Sequence, residues 1–431
     1  MAGVTWRLPR YRTSSVPFLL GLALTFYLFI QVIPSLSRTM EWTKVFESRG
    51  RETRLPTPPS RYEMPSAERS ILGSRLQGLE ERSAFWALLN CWTRQGQWVY
   101  DSDRGVPVSP RTWPLLDPGY RSCDHPFSSP TLEDNATDRD VQWGREDWED
   151  EMIIRETIRW HWKTPESLGC PLQLPHRQEL CQLLRKRPVI MMGDPTQLQL
   201  VSTLLLRMGQ VMNNDSSPRF RSSPCPGNIT DCTIYPLCDH KEREDEDLPS
   251  TMTPSSFSSS STYLISVMDP SLQRLDRLPS VLQSLGVRGT SLSPLFITSN
   301  GPLTNSTQLR ENLGRLRSVL PYETLHIHRS GYASHPGCSA LTLHPAPRPP
   351  YYLPVEWEDL QAYHAILRQE ILEAGGVWWD VEGMMLLRED GHVQAPSPAG
   401  DPGACIEWCL PGPVEAWEST LYGILGALLP P

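Results

Sequence analysis

The stretch RPVIMMGDPTQLQL, Arg187 to Leu200, runs from an apolar segment through Gly193-Asp194-Pro195 into a helical pattern. A sharp strand-to-helix turn of this kind can hold a nucleophile. The turn exposes one side chain, and backbone N–H groups at the helix start face the same point. Pro195 occupies the nucleophile's position. It offers neither a hydroxyl nor an N–H for an oxyanion. Thr196 carries a hydroxyl, but one step along the turn points it elsewhere. The same residues make a sound helix start: Asp194 as N-cap, Pro195 in the first helical position, and Gln197 three after the cap. His335 in HPGC and His392 in REDGH stand in loop blocks. Both read as hydrogen-bonded structural histidines, and DGH reads as a turn.

The elements that must position this turn alternate along the chain. Gln178 to Arg185 patterns as a short helix, Val189 to Met192 as a buried strand, and Thr196 to Met212 as a helix with Leu198, Val201, Leu205 and Met208 at helical spacing. TYLISVM, PLFITS and TLHIHR are strand-like, Leu309 to Val319 is helical, and Trp357 to Ala374 is a helix stopped by Gly375-Gly376 before the strand GVWWDV. Strands alternating with helices predict an α/β fold with a central parallel sheet flanked by helices. Ligands of such sheets sit beyond the carboxyl ends of the strands, where the Gly193 turn lies. Residues 213–262 hold three cysteines, the acidic DHKEREDED and the low-complexity TPSSFSSSST. They read as a partly disordered surface insertion with a disulfide at its base.

The N-terminus and the cysteines bear on compartment. Residues 16–33, VPFLLGLALTFYLFIQVI, are apolar except for Gln31. Eighteen residues at ~1.5 Å each span roughly 27 Å, close to a bilayer's hydrocarbon thickness. Arg7, Arg10 and Arg12 precede them with no acidic residue among them, so the expected topology is a cytosolic tail (1–15), a signal-anchor transmembrane helix (16–33), a charged, Pro-rich stem (34–85) and a lumenal domain (86–431). The lumenal domain is expected to open with an irregular section held by disulfides. Its acidic run REDWEDE reads as a solvated face. The ten cysteines, Cys91, Cys123, Cys170, Cys181, Cys225, Cys232, Cys238, Cys338, Cys405 and Cys409, all follow the apolar segment. None forms a CxxC pair, so disulfides are expected rather than a metal site, and no cofactor is implied. Sequons at Asn135, Asn214, Asn228 and Asn305 agree with a secretory-pathway glycoprotein. A net charge of −9 gives no attraction to phosphate backbones, so nucleic acid is not an expected partner. Fifteen tryptophans fit core packing and a sugar-stacking cleft equally well.

Several separated blocks line up with one family. CWTRQGQWVYD begins at Cys91 and RWHWKTPESLGCPLQLP at Arg159. VIMMGDP, HPGC and REDGH follow, and then EWCLPGPVEAWESTLYGIL from Glu407 to Leu425. In this order, over residues 88–427, they resemble the trichome-birefringence-like proteins, a branch of the PC-esterase (SGNH/GDSL-like) group. The resemblance implies Golgi-resident type II membrane proteins that O-acetylate polysaccharide hydroxyls on an SGNH-hydrolase-like fold. It also implies a Gly-Asp-Ser nucleophile and a C-terminal Asp-x-x-His just before WCLPG, acting as a Ser-His-Asp triad. Here Pro195 replaces the Ser, Ala404 and Glu407 replace the Asp and His, and Leu198 and Gln199 replace an Arg and Asn that often follow the Ser. Asn300, after PLFITS, takes the position of an SGNH oxyanion-hole side chain. The expectation is an intact fold with a silent centre, binding a glycan or an active family member. The alternatives are an O-acetyltransferase using other residues and a structural cell-surface glycoprotein.

Overall fold

The computed structural model describes residues 71–102, 159–173, 176–185, 187–208, 211–212, 219–220, 222–227, 229–238, 262–285, 293–300, 306–321, 323–331, 357–392, 408, 410 and 412–429. The segment 16–33 and the four sequon asparagines lie outside them. Among the described residues no helix is long and apolar enough to cross a membrane.

The central sheet is built on five parallel strands: β3 (Val189–Gly193), β8 (Thr262–Met268), β9 (Leu295–Ser299), β10 (Leu325–Arg329) and β11 (Val377–Trp379). Their spatial order is β8-β3-β9-β10-β11, and two antiparallel strands, β7 (Cys232–Cys238) and β6 (Ser223–Pro224), extend the β8 edge. A strand sends alternate side chains to opposite faces. Val189 and Met191 therefore enter one core with Leu295, Ile297, Leu325 and Ile327. Ile190 and Met192 enter the other with Ile265, Val267, Phe296 and Trp378. Helices cover both faces, so the strands are buried on both sides, as parallel strands usually are.

The first face packs against α1 (Leu79–Arg94), α2 (Arg177–Leu184), α3 (Pro195–Arg207) and α8 (Val414–Leu428). The second packs against α4 (Leu278–Ser284), α5 (Ser306–Val319) and α6 (Trp357–Glu373). A short antiparallel pair, β1 (Gln97–Tyr100) and β2 (Trp160–Lys163), follows α1. A further pair, β4 (Val211–Met212) with β5 (Arg219–Phe220), precedes β6, and the one-turn helix α7 (Glu382–Met385) follows β11.

Three expectations change. Ile71 and Leu76 are buried and α1 begins at Leu79, inside the stretch read as stem. The charged, Pro-rich residues before them mask the apolar spacing of Phe85, Leu89 and Trp92, which seats α1 in the core. The insertion at 213–262 contains β6 and β7, because β7 pairs with β8 along its whole length and buries Ile234, Leu237 and Cys238. The helix after the Gly193 turn stops at Arg207, and Val211–Met212 is a strand paired with Arg219–Phe220.

Disulfides join Cys91 to Cys170, Cys181 to Cys238 and Cys225 to Cys232. The first ties α1 to the segment after β2, the second ties α2 to the sheet, and the third closes the β6–β7 hairpin. They suit a domain that folds in an oxidising compartment. Cys123, Cys338, Cys405 and Cys409 lie outside the described residues.

Helix α8 lies against α3 with most of its side chains buried. The ion pairs at this contact join Arg207 to Glu418 and Glu415, each at 3.2 Å. Glu418 is fully buried, and burial pushes its carboxyl up to about 7 although Arg207 pulls the other way. A carboxyl raised above its ordinary 4.5 holds an extra proton in the folded state. Its contribution to stability is full below pH 4.5 and is lost as the pH rises through about 7. Melting of wild type and Glu418→Gln across this range should therefore show wild type losing stability relative to the variant with rising pH. Parallel curves would refute the assignment.

Candidate functional site

β3 is the first of the five parallel strands in sequence and the second in space. The chain leaves it for β8 on one side and returns to β9 on the other. At such a reversal a doubly wound sheet has its ligand crevice, which here falls beyond the carboxyl ends of β3 and β9. The parallel register pairs Gly193 with Met268, Ser299 with Arg329, and Arg329 with Trp379, so these residues end their strands at matching levels. Asp194 and Asn300 are the next residues of their chains. The pleat then sorts the polar residues into two networks, one on each face.

The first network is centred on Asp194. Its Oδ1 accepts from Ser299 Oγ (2.7 Å) and Arg329 Nη2 (3.1 Å), and its Oδ2 accepts from Thr196 Oγ1 (2.8 Å). Arg329 is fully buried, and it also donates from Nη2 to Thr196 Oγ1 (2.7 Å) and from Nε to Gln197 Oε1 (3.1 Å). Its guanidinium lies 4.3 Å over the Trp417 ring of α8. A planar cation with a fork of donors suits this site, where three side-chain acceptors and an aromatic face converge. Gly193 makes the arrangement possible. A Cβ there would overlap Ser299 Oγ and lie 3.1 Å from the Ser299 carbonyl.

This geometry decides what the turn can do. Thr196 is wholly buried, its proton is given to a carboxylate, and its oxygen accepts from a guanidinium. The expectation that its hydroxyl points away from nucleophilic duty now has a cause: it is a member of the Arg329 network. Gln197 and Asp194 were expected to cap the helix together. Backbone Gln197 N–H does donate to Asp194 C=O (2.9 Å), but both side chains serve Arg329.

The second network is a file of side chains on the other face. Gly331 N–H donates to Asn300 Oδ1 (3.2 Å), which fixes that atom as the oxygen. His328 Nε2, 3.0 Å from the same oxygen, must therefore carry a proton. Burial, with neighbouring His326, His364 and Arg329, holds the His328 ring well below its ordinary pKa, so the ring is neutral and its Nδ1 is bare. Thr298 Oγ1–H then donates to His328 Nδ1 (2.7 Å), and its oxygen accepts from His326 Nε2–H (2.8 Å). Asn300 Nδ2 is buried without a partner. His364 of α6 is also buried, and its Nε2 has none either. A Cβ built on Gly331 would lie 2.9 Å from Asn300 Nδ2 and 3.4 Å from His364 Nε2, so both atoms face one small space. Behind His364, the Glu382 carboxylate stands 3.6 Å from Nδ1 and accepts from Gln361 Nε2 (2.6 Å).

Of the residues singled out in the sequence, Gly193, Asp194, Pro195, Thr196 and Asn300 meet at this crevice. Ala404, Glu407 and His335 lie outside the described residues. Trp408, next to Glu407, is tied to the helix after the turn: Gln199 Nε2 donates to its C=O (2.7 Å) and its N–H to Gln199 Oε1 (3.1 Å). His392 stacks on Trp408 at 3.8 Å and bridges its backbone, a structural role as expected. Sequence reasoning missed Arg329, Ser299, His364 and Glu382. The available signal for Arg329 was a charge closing an otherwise buried strand. Among the described residues no cluster of His, Cys, Asp or Glu could hold a metal ion.

The fold and crevice define an α/β domain with a mostly parallel, doubly wound sheet. At its switch point, proline stands at the helix start and a buried ion pair lies beneath it. No family model matches the chain. Its similarity to members of the trichome birefringence-like and xyloglucan O-acetyltransferase family is weak and partial. Xyloglucan O-acetyltransferase 1 of Arabidopsis thaliana is 34% identical over 80 residues, 16% of this chain and 18% of that protein. Protein trichome birefringence-like 20 of the same plant is 43% identical over 54 residues, 11% of each chain. The chain thus matches less than a fifth of either relative's length.

Two substitutions test the Asp194 network. Arg329→Met leaves a buried carboxylate uncompensated and should cost about 3–5 kcal/mol in denaturant unfolding. Asp194→Asn in the same chain should recover part of that loss, and strict additivity would show that the two residues do not act as a pair. Gly193→Ala should destabilise by about 1–3 kcal/mol through overlap with Ser299. Adding Ser299→Gly should relieve it, and no relief would place the strain elsewhere.

Proposed function

We propose that this chain is a catalytically silent relative of polysaccharide O-acetyltransferases, with an SGNH-like domain that binds a polysaccharide in the β3–β9 crevice without transferring acyl groups. We place it in the secretory pathway, anchored by residues 16–33. The observation that carries this reading is the state of the turn after β3. Pro195 provides no nucleophile and no oxyanion N–H, and the neighbouring hydroxyl of Thr196 is locked between Asp194 and Arg329. The name of the xyloglucan-modifying relative supports the polysaccharide class. The disulfides support the compartment.

One arrangement favours a second reading, direct acyl transfer by other residues. Asn300 Nδ2 and His364 Nε2 face a common space, with Glu382 behind the histidine. In that reading His364 takes the proton of an acceptor hydroxyl as its oxygen attacks the carbonyl carbon of a donor ester or thioester, Asn300 steadies the oxyanion, and collapse breaks the donor's acyl bond, the departing alkoxide or thiolate taking the proton back from His364.

One set of measurements on the purified full chain separates the readings. The silent binder should retain polysaccharides on a glycan array and transfer no labelled acetyl to them. Wild type should also resist a serine-directed fluorophosphonate that labels the Pro195→Ser, Ala404→Asp, Glu407→His triple variant. Acetyl transfer abolished by His364→Ala would establish the second reading instead. An array with no bound polysaccharide would remove the first.

A further inference from the structure

At the opposite end of the sheet from the crevice, α5 and α6 part to leave a recess of about 410 Å3, in the range of small-molecule pockets. Leu313, Leu316, Leu320 and Ile371 give it an apolar wall. Arg310 and Glu370 pair across it, with Arg310 Nε 2.7 Å from Glu370 Oε1, and Glu373 adds a second carboxylate. Its polar groups are His326 and Thr324, which share one side of β10 and the turn before it. Thr324 Oγ1 is buried without a partner. His326 is 6% exposed. Its Nε2 is committed to Thr298, and its Nδ1 lies toward Gly376, beside the Gly375 that lines the recess.

The hydrogen-bond file behind His326 determines what its Nδ1 can do. Gly331 N–H fixes the Asn300 oxygen, His328 must donate to that oxygen, Thr298 must donate to His328, and His326 must donate to Thr298. Burial holds the His326 ring neutral, with its pKa down at about 3. Its Nδ1 is therefore an acceptor at the edge of a recess whose charged lining, one arginine and two glutamates, is net negative. Such a site disfavours carboxylates and phosphates and calls for a donor on an uncharged body.

We propose that this recess binds a neutral amphipathic alcohol, its hydroxyl between His326 Nδ1 and Thr324 Oγ1 and its hydrocarbon against the leucines of α5 and Ile371 of α6. The site is distinct from the crevice, and the proposal does not depend on whether the crevice binds polysaccharide.

Photolabelling of the full chain in detergent with a diazirine-bearing decan-1-ol tests this directly. Label should map to α5 and α6 peptides that line the recess. Unlabelled decan-1-ol should compete, whereas its methyl ether and decanoate should compete about tenfold less well, because neither gives His326 a proton to accept. Gly314 lines the recess on α5, and a Cβ there meets nothing within 4 Å. Gly314→Phe should therefore fill the space and abolish the label without lowering the melting temperature. Three results would each overturn the proposal: label mapping elsewhere, equal competition by the ether or decanoate, or unchanged labelling of Gly314→Phe. An unlabelled wild-type recess would also overturn it.

Discussion

The buried ion pair between Asp194 and Arg329, 3.1 Å apart, is the constraint around which the carboxyl edge of the sheet is arranged. Two charges removed from water are tolerated only when their remaining donors and acceptors are satisfied. That requirement explains the residues around them. Ser299 and Thr196 complete the carboxylate, Gln197 Oε1 accepts from the Nε–H, and Trp417 covers the guanidinium face. These groups come from β9, α3, β10 and α8. The pair therefore ties the turn after β3 to three other elements, the last of them near the chain's C-terminus. Gly193 belongs to the same constraint, since any side chain there would displace Ser299.

The same contacts hold a strand-to-helix turn in shape with no nucleophile at its first helical position. In an acyl-transfer elbow the helix start must leave one hydroxyl and its N–H donors open to substrate. Here proline closes the first helical position, and the nearby polar side chains face inward to Arg329. The α3 surface is further fixed by Gln199, whose amide forms both hydrogen bonds with the Trp408 backbone, 209 residues away. The carboxyl edge is held by these buried contacts, not by an open position at the turn. On the opposite face of the sheet, Asn300 keeps a free amide group because its oxygen alone is held, by His328 and Gly331.

Much of the framework was legible in the sequence because it rests on period and punctuation. VIMM, TYLISVM and PLFITS are largely apolar runs of strand length, LHIHR alternates apolar and polar residues with the period of a strand, and Gly375-Gly376 stops α6 where the backbone turns left-handed at Gly375. Helix α1 was hidden by the charged segment before it. β7 was hidden by the acidic and serine-rich residues that follow it. The Gly193 turn was located correctly, and a capping role was expected for its side chains. Their actual role was not legible, because it depends on Arg329, 135 residues away from Asp194. An arginine after LHIH gives no local sign of its partner. Only the strand order β8-β3-β9-β10 brings it within reach of Asp194.

The same pleat that separates the two networks also connects the two ends of the sheet on one face. Residues 326 and 328 of β10 and 298 of β9 project to the α5–α6 side, so a single file of hydrogen bonds runs from Asn300 at the carboxyl end to His326 near the amino end. Each member has one proton to give along the file, and the backbone N–H of Gly331 sets the direction for all of them. A strand pair in a buried sheet would usually fill these positions with valine or isoleucine. Two imidazoles and a hydroxyl are harder to bury, and they fit only because each donor has its acceptor. The file therefore fixes the polarity of the sheet's interior from end to end. The acceptor character of His326 Nδ1 follows from a backbone amide at the far side of the domain.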